Sequence, residues 1–376
     1  MADAPPAFDF QPLGRVIFEA GALARLGEVV RELGGRRVLL VTDPGLEHAG
    51  HPQRAEAAIR AAGLECFTFD GVKENPTERE VAAGVVFART HAVDSIVAVG
   101  GGSSMDCAKG INFLLSNGGR MADYKGFGKA TKPMLPSVGV PTTSGTGSEA
   151  QCYALITDEK THLKMACGDK KAAFRVAILD PDVTLSQPRI VSAVTGIDAV
   201  AHAIESLVCT KRNAYSQMCS MNAWRHLEPN FERVMSHPAD RAARSAMLLG
   251  AHFAGMAIES AMLGVCHSCA NPLTAHYGIT HGVAIGVMLP HVIRFNAGDA
   301  AAKGLYSQLA SSSDALANRV VHLLGAAGLP KSLKECGVSD TILPLLAEEA
   351  NEQWTARFNP RPVGQDEILA LYQSAW

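Results

Sequence analysis

The sequence lacks a basic cluster, a long apolar segment and a regular cysteine framework. Its 34 lysines and arginines nearly balance 37 acidic residues, and the formal net charge is −3. No basic run alternates with aromatic residues, which speaks against nucleic-acid binding. No apolar run of about 18 residues predicts a membrane span. The start, MADAPPAFDF, lacks the basic and apolar regions of a signal peptide. We therefore expect a small-molecule partner, with no nucleic acid and no membrane.

The nine cysteines are scattered, and several lie in apolar stretches. An odd number without framework spacing predicts free thiols in a reducing cytoplasm. Cys266 and Cys269 form a C-x-x-C pattern around His267, but no second pair accompanies them. A redox or zinc role is open at this point, and small apolar packing is the favoured interpretation.

The first half of the chain alternates short apolar runs with helical patterns. This alternation predicts a parallel, doubly wound sheet with right-handed crossovers. Helical patterns occupy Pro52 to Ala62 and Glu78 to Thr90. The predicted strands are Arg36 to Asp43, Glu65 to Asp70, Asp94 to Ser103 and Met134 to Thr143.

A second, all-helical domain is predicted from about Ser186 onward. With 376 residues, 47% of them hydrophobic, the chain can form two separate cores. The prolines and turn residues of Leu179 to Pro188 suit a hinge. We therefore expect an α/β domain at 1–185 and a helical domain at 186–376. The helical stretches are Ile190 to Leu207, Ala214 to Met235 and Asp240 to Leu263.

A glycine-rich turn, GGGSSMDCAKG at Gly100 to Gly110, follows one predicted strand and opens a helix. Glycines let a phosphate approach the backbone closely, and a helix N-terminus offers unpaired N–H groups. Gly101, Gly102 and Ser103 are therefore candidate phosphate contacts. Asp106 lies in the first turn, where it either contacts the cofactor or complements the helix dipole.

A second turn, PTTSGTGSEA at Pro141 to Ala150, follows another predicted strand. Its hydroxyl groups can bind a pyrophosphate or a ribose, or cap a short helix at Ser148 or Thr146. Two such turns at one edge of a parallel sheet favour a nucleotide crevice. The candidate contacts are Thr142, Thr143, Ser144 and Thr146.

The usual dinucleotide fingerprint, G-x-G-x-x-G, is absent, and the acidic end of a strand precedes the glycine turn. That acid is Asp43. A carboxylate there can bond the ribose hydroxyls and repel a 2′-phosphate, which favours NAD over NADP. The alternative is a turn-forming aspartate before Pro44.

A candidate metal site lies between Val191 and Gly282. Asp198 and His202 are four residues apart in a predicted helix, which places them on one face, and His267 and His281 follow. One carboxylate and three imidazoles suit a divalent metal. With the metal they carry a net charge of plus one, which favours a polarised carbonyl or an alkoxide. The alternative is ordinary packed histidines.

Several motifs together resemble the iron-containing (group III) alcohol dehydrogenases. They are GGGSSMDCAK, PTTSGTGSEA, GIDAVAHAIES and H-x13-H ending in THG. The match runs from FDFQPLGRVIFEAGAL to LPHVIRFN at Leu289 to Asn296. The resemblance implies an NAD(P)-binding domain at 1–185, a helical metal-binding domain at 186–376 and a cleft between them.

The resemblance also implies roles for individual residues. Iron is the metal it implies, with zinc as the alternative found in related polyol enzymes, and Tyr153 falls at a substrate-facing position. The implied metal ligands are Asp198, His202, His267 and His281. The cofactor contacts that it implies are Gly102, Ser103, Thr142, Thr143, Asp43, Asn75, Gln151 and Lys164.

Three positions depart from the family pattern. Asn271 stands where a second histidine often follows the third ligand, and that histidine is the family's candidate proton relay. Thr280 stands where proline often precedes the last ligand, and Glu19 where glycine is common. The remaining candidates for the proton relay are a chain of water or ribose hydroxyls, His276 and Tyr277.

The expected function is an NAD-linked, metal-dependent alcohol dehydrogenase or aldehyde reductase acting on a small primary alcohol or aldehyde. One alternative is a lyase resembling dehydroquinate synthase, another is a glycerol-type polyol dehydrogenase, and a third is a non-catalytic nucleotide-binding protein. The helical half shows no dense Arg, Lys and His cluster for a phosphorylated cyclic substrate. We expect a homodimer or higher homo-oligomer in the cytoplasm.

Overall fold

The computed structural model describes residues 6–159 and 164–376. They fall into an α/β unit at 11–187 and a helical unit at 188–376, which also includes the described residues up to Phe10. Within the helical unit, the ring of Phe10 stacks on Tyr215 with 3.6 Å between centroids.

The α/β unit is built on a sheet of six parallel strands in the order β1-β9-β6-β4-β2-β3, within its described residues. This architecture confirms the predicted doubly wound sheet, although the short strands β1 and β9 were not predicted. The six are β1 Arg15–Phe18, β2 Arg37–Val41, β3 Glu65–Phe69, β4 Ser95–Gly100, β6 Ser137–Pro141 and β9 Val176–Leu179.

Successive residues of the strands pack into two separate apolar layers, one on each face of the sheet. Leu39 and Ile96 pack in one layer, whereas Val38 and Val97 pack in the other. Because successive side chains point to opposite faces, strands buried on both sides read as continuous apolar runs. The layers are completed by the helices α1 Leu26–Glu32, α2 His51–Ala61, α3 Glu78–Thr90 and α4 Gly102–Asn117.

A second, small sheet carries two predicted site residues. Its strands are β5 Gly126–Phe127, β7 Tyr153–Thr157 and β8 Lys164–Gly168, in the order β5-β8-β7. Strands β7 and β8 are antiparallel, and Tyr153 faces Gly168 in the register while Thr157 faces Lys164. No pattern in the sequence predicted this sheet.

In the second unit the described residues form helices and no strand, as predicted. The central helix, α5 Arg189–Val208, packs against α6, α7 and α9. The helices after α5 are α6 Ala214–Ser236, α7 Arg241–Ser260, α8 Val265–Tyr277, α9 His281–Asn296, α10 Ala300–Tyr306, α11 Ser313–Ala327, α12 Leu343–Glu352 and α13 Gln365–Ala375.

Helix α5 is long and apolar enough to cross a membrane by length and composition, contrary to the expectation that no segment qualifies. The bent pair α7 and α8 also passes this test if it is counted as one span. However, 78% of the apolar window of α5 is buried inside the structure. It also carries buried Asp198, His202 and Glu205. These features are those of a core helix.

Candidate metal centre and nucleotide site

Three helices of the helical unit bring the four predicted metal ligands together. Asp198 and His202 lie one turn apart on α5, with 3.3 Å between Asp198 Oδ1 and His202 Nε2. His267 is near the start of α8 and His281 is the first residue of α9. Their Nε2 atoms lie 3.5 Å and 3.8 Å from the same Asp198 oxygen. The three imidazoles therefore approach the same carboxylate oxygen of Asp198.

Close helix packing makes this convergence possible. Gly282 follows His281, and a Cβ atom there would collide with the carbonyl oxygen of Val194 on α5. Gly264 precedes α8, and a Cβ there would lie 2.9 Å from carboxylate and amide oxygens of Glu205 and Asn359. The two glycines let the first turns of α8 and α9 approach α5.

The donor atoms suit a divalent cation. Asp198 Oδ1 and His267 Nε2 are buried and have no hydrogen-bond partner in the part of the chain that the structure describes. A buried polar atom without a partner is costly, and a cation would satisfy both. Asp198, His202 and His267 are buried, whereas the His281 side chain is 26% exposed. The set of three nitrogens and one oxygen matches known divalent-metal chemistry.

The electrostatic environment favours an ionised Asp198. Burial opposes ionisation of Asp198, but the neighbouring His202, His267 and His281 hold the pKa of its carboxyl well below the usual range. Burial also opposes a charged His267, yet Glu205 and Asp198 raise the pKa of this imidazole to about 9. The cluster is thus built to hold positive charge next to two carboxylates.

Glu205 is a functional candidate that the sequence analysis missed. One carboxylate oxygen accepts the backbone N–H of Cys266 at 2.8 Å, and the other contacts His267 Nδ1. The available signal was spacing, because Glu205 follows Asp198 by seven residues and His202 by three on one helix.

The other residues near the third ligand have protein partners. Asn271 Nδ2 donates to Gln353 Oε1 at 3.1 Å. His276 Nε2 lies 2.8 Å from a Glu349 oxygen, and the Tyr277 hydroxyl accepts the backbone N–H of Ser339 at 3.3 Å. These contacts give the proton-relay candidates defined structural roles, and none of them includes a metal ligand.

The C-x-x-C pair is buried in the same region. The Cys266 thiol donates to the carbonyl oxygen of Ile285 at 3.5 Å, and Cys266 and Cys269 are fully buried. Burial raises the pKa of both thiols, which disfavours the thiolate needed for redox or metal chemistry. Their geometry therefore fits apolar packing.

In the α/β unit, the two glycine- and hydroxyl-rich turns lie side by side. Strands β4 and β6 are parallel neighbours, and the Thr142 N–H donates to the carbonyl oxygen of Gly100 at 2.9 Å. A Cβ on Gly101 would lie 3.3 Å from the Thr143 side chain. One on Gly102 would lie 2.7 Å from the Thr146 side chain. The carboxyl ends of the strands thus place both turns at one edge, with the α4 N-terminus between them.

Asp43 and Asn75 lie at the same edge. The Ser104 hydroxyl donates to Asp43 Oδ2 at 3.1 Å, immediately after β2. The Asn75 N–H donates to Ser103 Oγ at 3.2 Å, and Asn75 has a φ of 52°, in the left-handed region. The structure therefore brings Asp43 and Asn75 to the glycine turn that the sequence singled out.

Asp106 faces the protein interior. Its carboxylate accepts the hydroxyl proton of Ser148 and lies 3.6 Å from the ammonium of Lys109. Burial raises the pKa of Asp106, against the attraction of Lys109. Lys109, which the sequence analysis missed, also donates to the carbonyl oxygens of Ser148 and Tyr153, both at 2.7 Å. The Asp106–Lys109 pair thus fixes the end of the second turn.

The remaining predicted contacts surround this pair. Gln151 Nε2 donates to the carbonyl oxygen of Thr146 at 2.9 Å, which braces the second turn. Lys164 begins β8 and is near enough to Asp106 to influence its pKa. The Tyr153 ring packs against Phe127, with 5.8 Å between centroids.

Comparison with known proteins identifies the family of both halves of the chain. Residues 14–181 match the family described as iron-containing alcohol dehydrogenase, and residues 192–376 match the C-terminal part of that family. Alcohol dehydrogenase 4 of Schizosaccharomyces pombe is 33% identical over 366 residues, covering 96% of this chain and 87% of the relative. The NAD-dependent methanol dehydrogenase of Bacillus methanolicus is 32% identical, covering 94% of this chain and 96% of its own.

A solved structure shares the fold over nearly its whole length. The crystal structure of a 1,3-propanediol oxidoreductase superposes with a TM-score of 0.94 at 33% identity, covering 99% of this chain and 100% of its own. This structural match and the family matches in both halves show that the chain belongs to the iron-containing alcohol dehydrogenases, which are NAD-linked oxidoreductases of alcohols and aldehydes.

Proposed function

We propose that this protein is an NAD-dependent, metal-dependent dehydrogenase of a small primary alcohol, or a reductase of the matching aldehyde. The observation that carries the proposal is the convergence of three imidazole nitrogens on Asp198 Oδ1, which has no hydrogen-bond partner among the described residues. The match to an NAD-dependent methanol dehydrogenase supports the choice of cofactor and substrate class.

A divalent metal held by Asp198, His202, His267 and His281 would supply Lewis-acid polarisation of the substrate oxygen, and NAD would accept or return the hydride. The protein contributes placement. Helices α5, α8 and α9 bring the four proposed ligands together around Asp198 Oδ1, and Glu205 contacts the ring of His267. Asn271 donates and accepts hydrogen bonds but does not titrate, so we assign proton movement to water or a ribose hydroxyl.

The cofactor contacts are proposed residue by residue. Asp43 bonds the adenosine ribose, while Asn75 and Lys164 flank the nucleotide. Asp106 and Gln151 act through the shape of the second turn, because both side chains bind that turn directly. The pyrophosphate contacts are Gly101, Gly102, Ser103, Thr142, Thr143 and Thr146.

Iron(II) is the proposed metal, because the family match favours it and the donor set accommodates it. Zinc(II) fits the same donors. The nine cysteines are all free, eight of them buried, which supports a reducing compartment such as the cytoplasm.

A homodimer or higher homo-oligomer is also proposed. Strand β1 is an outer strand of the sheet, and its Val16 and Phe18 are 44% and 42% exposed. An exposed apolar edge strand favours association with another chain. A monomeric mass in light scattering would contradict this assignment.

The test is NADH absorbance with metal-free protein reloaded with Fe(II), with Zn(II) or with no metal. Substrates are short primary alcohols, diols and their aldehydes, and NADP is tested in parallel. We expect turnover only with metal and preferentially with NAD. The lyase alternative predicts tightly held NAD and no stoichiometric NADH release. Absence of hydride transfer with every substrate and metal would reject the proposal.

A further inference from the structure

Glu205 is a buried carboxylate that touches a metal ligand without being one of the four. It lies on the same face of α5 as Asp198 and His202, and it is 2% exposed. Its two oxygens meet two N–H positions, the backbone nitrogen of Cys266 at 2.8 Å and Nδ1 of His267. His267 is therefore held at one ring nitrogen by Glu205, while its other nitrogen, Nε2, faces Asp198 at 3.5 Å.

The charge of the cluster points in the same direction. Among the described residues, all ion pairs of Asp198 and Glu205 involve histidines, and none involves lysine or arginine. Two carboxylates are thus buried in one cluster without a fixed cationic partner. Because buried charge without compensation is costly, such a cluster favours a divalent cation.

We propose that Glu205 is a positioning residue for the metal. The Glu205 carboxylate accepts a hydrogen bond from His267 Nδ1–H, so that the lone pair of Nε2 points into the cluster. The negative charge of Glu205 also strengthens cation binding. Carboxylates in this position fix the tautomer and ring orientation of a ligating histidine and raise its basicity. The inference rests on the proposed metal centre and adds a fifth residue that controls metal affinity.

Glutamine cannot reproduce this arrangement. The Glu205 carboxylate offers an acceptor to each of two donors, whereas a glutamine side chain has one acceptor oxygen and an NH2 group. In Glu205→Gln, the amide oxygen can accept a hydrogen bond from only one of these two donors. The other donor, His267 Nδ1–H or the Cys266 N–H, then faces the NH2 group of the glutamine, which is itself a donor. The substitution keeps the size of the side chain and removes its charge.

The experiment measures the affinity of the full chain for Fe(II) and for Zn(II), each added alone, by chelator competition. We expect Glu205→Gln to bind both metals about 10–100-fold more weakly than the wild type. The matched control is Glu228→Gln, since Glu228 lies in the same unit and pairs with Arg319 instead. Its metal affinity should equal that of the wild type.

Unfolding temperatures with and without metal separate positioning from packing. The metal-induced rise should be smaller in Glu205→Gln than in the wild type. Equal affinity, or an equal metal-induced rise, would overturn the role of Glu205.

If Glu205→Gln does not fold, Glu205→Asp is measured in its place, because aspartate keeps the negative charge but its side chain is shorter by one methylene group. Its affinity should be lowered, and wild-type affinity would count against us. No metal binding by the wild type would overturn the metal centre itself.

Discussion

At the scale of residues, Asp198 Oδ1 is the common neighbour of His202, His267 and His281. The three imidazoles hold the pKa of the Asp198 carboxyl low, but none of them makes a hydrogen bond to Oδ1 among the described residues. At the other site, Asp43 accepts one hydrogen bond from Ser104. Among the described residues its other oxygen, Oδ1, accepts no hydrogen bond, which leaves an acceptor for a ribose hydroxyl.

Replacing Asp43 should change the choice of cofactor. Like charges about 4 Å apart repel by about 4 kcal/mol at an effective dielectric constant near 20. We therefore expect Asp43→Ser to raise the ratio of kcat/KM with NADP to that with NAD by at least about tenfold. Steady-state kinetics with both cofactors measure this ratio.

The control for Asp43→Ser is Glu47→Gln, which removes an exposed acid four residues further along the chain. Its cofactor ratio should match the wild type. An unchanged ratio in Asp43→Ser would indicate that the carboxylate only shapes the turn before Pro44.

At the scale of elements, the proposed nucleotide site depends on the fit between two turns. Gly102 is the first residue of α4, and its missing side chain leaves room for Thr146. The second turn is held from behind by Lys109, which donates to Ser148. Strand order brings the two turns together, since β4 and β6 are neighbours.

Gly102→Ala should weaken NAD binding. A Cβ at Gly102 would lie 2.7 Å from Thr146 Cγ2, so the threonine must move. Loss of one cofactor hydrogen bond costs about 1–1.5 kcal/mol, which corresponds to roughly a tenfold rise in the KM for NAD. The KM for the alcohol should change less, as initial-rate kinetics would show.

Gly304→Ala is the matched control, because nothing lies within 4 Å of a Cβ at Gly304. It should leave the KM for NAD unchanged. If Gly102→Ala also binds NAD normally, the first turn does not contact the pyrophosphate.

At the scale of the whole molecule, the proposed metal ligands lie on helices that are distant in the sequence. Asp198 and His281 are 83 residues apart, yet their atoms lie 3.8 Å apart because α9 packs closely against α5. A ligand that binds only the folded state stabilises it in proportion to its affinity and concentration. Metal bound here should therefore stabilise the helical unit.

Metal removal should lower the unfolding temperature. Free metal at 100 times its Kd contributes about 2.7 kcal/mol. For a unit of this size the contribution corresponds to roughly 5–10 °C. Calorimetry of metal-loaded and chelator-treated protein measures the difference. It should vanish in His267→Ala and persist in His322→Ala, because His322 is 61% exposed and pairs with Glu232 instead. A difference that persists in His267→Ala would place the metal elsewhere.

The fold class and the candidate residues can be recognised from local patterns in the sequence alone. Strands such as β2 and β4 are buried on both faces, so their apolar runs and glycine turns are visible without coordinates. On helix α5 the candidate ligands Asp198 and His202 are visible through their spacing of four residues. Periodicity and motifs are properties of short segments, so they can be recognised without knowing which other elements each segment packs against.

Contacts between groups that are distant in the sequence cannot be read from local patterns and become visible in the fold. The short strands β1 and β9 carry too few residues for a clear pattern and form by pairing with the rest of the sheet. The contact of Glu205 with His267, and the burial of Asp106 beside Lys109, depend on packing between elements. A carboxylate in the sequence looks the same whether it faces solvent, a cofactor or a histidine. Its neighbours in space, and therefore its role, follow from helix packing and strand order.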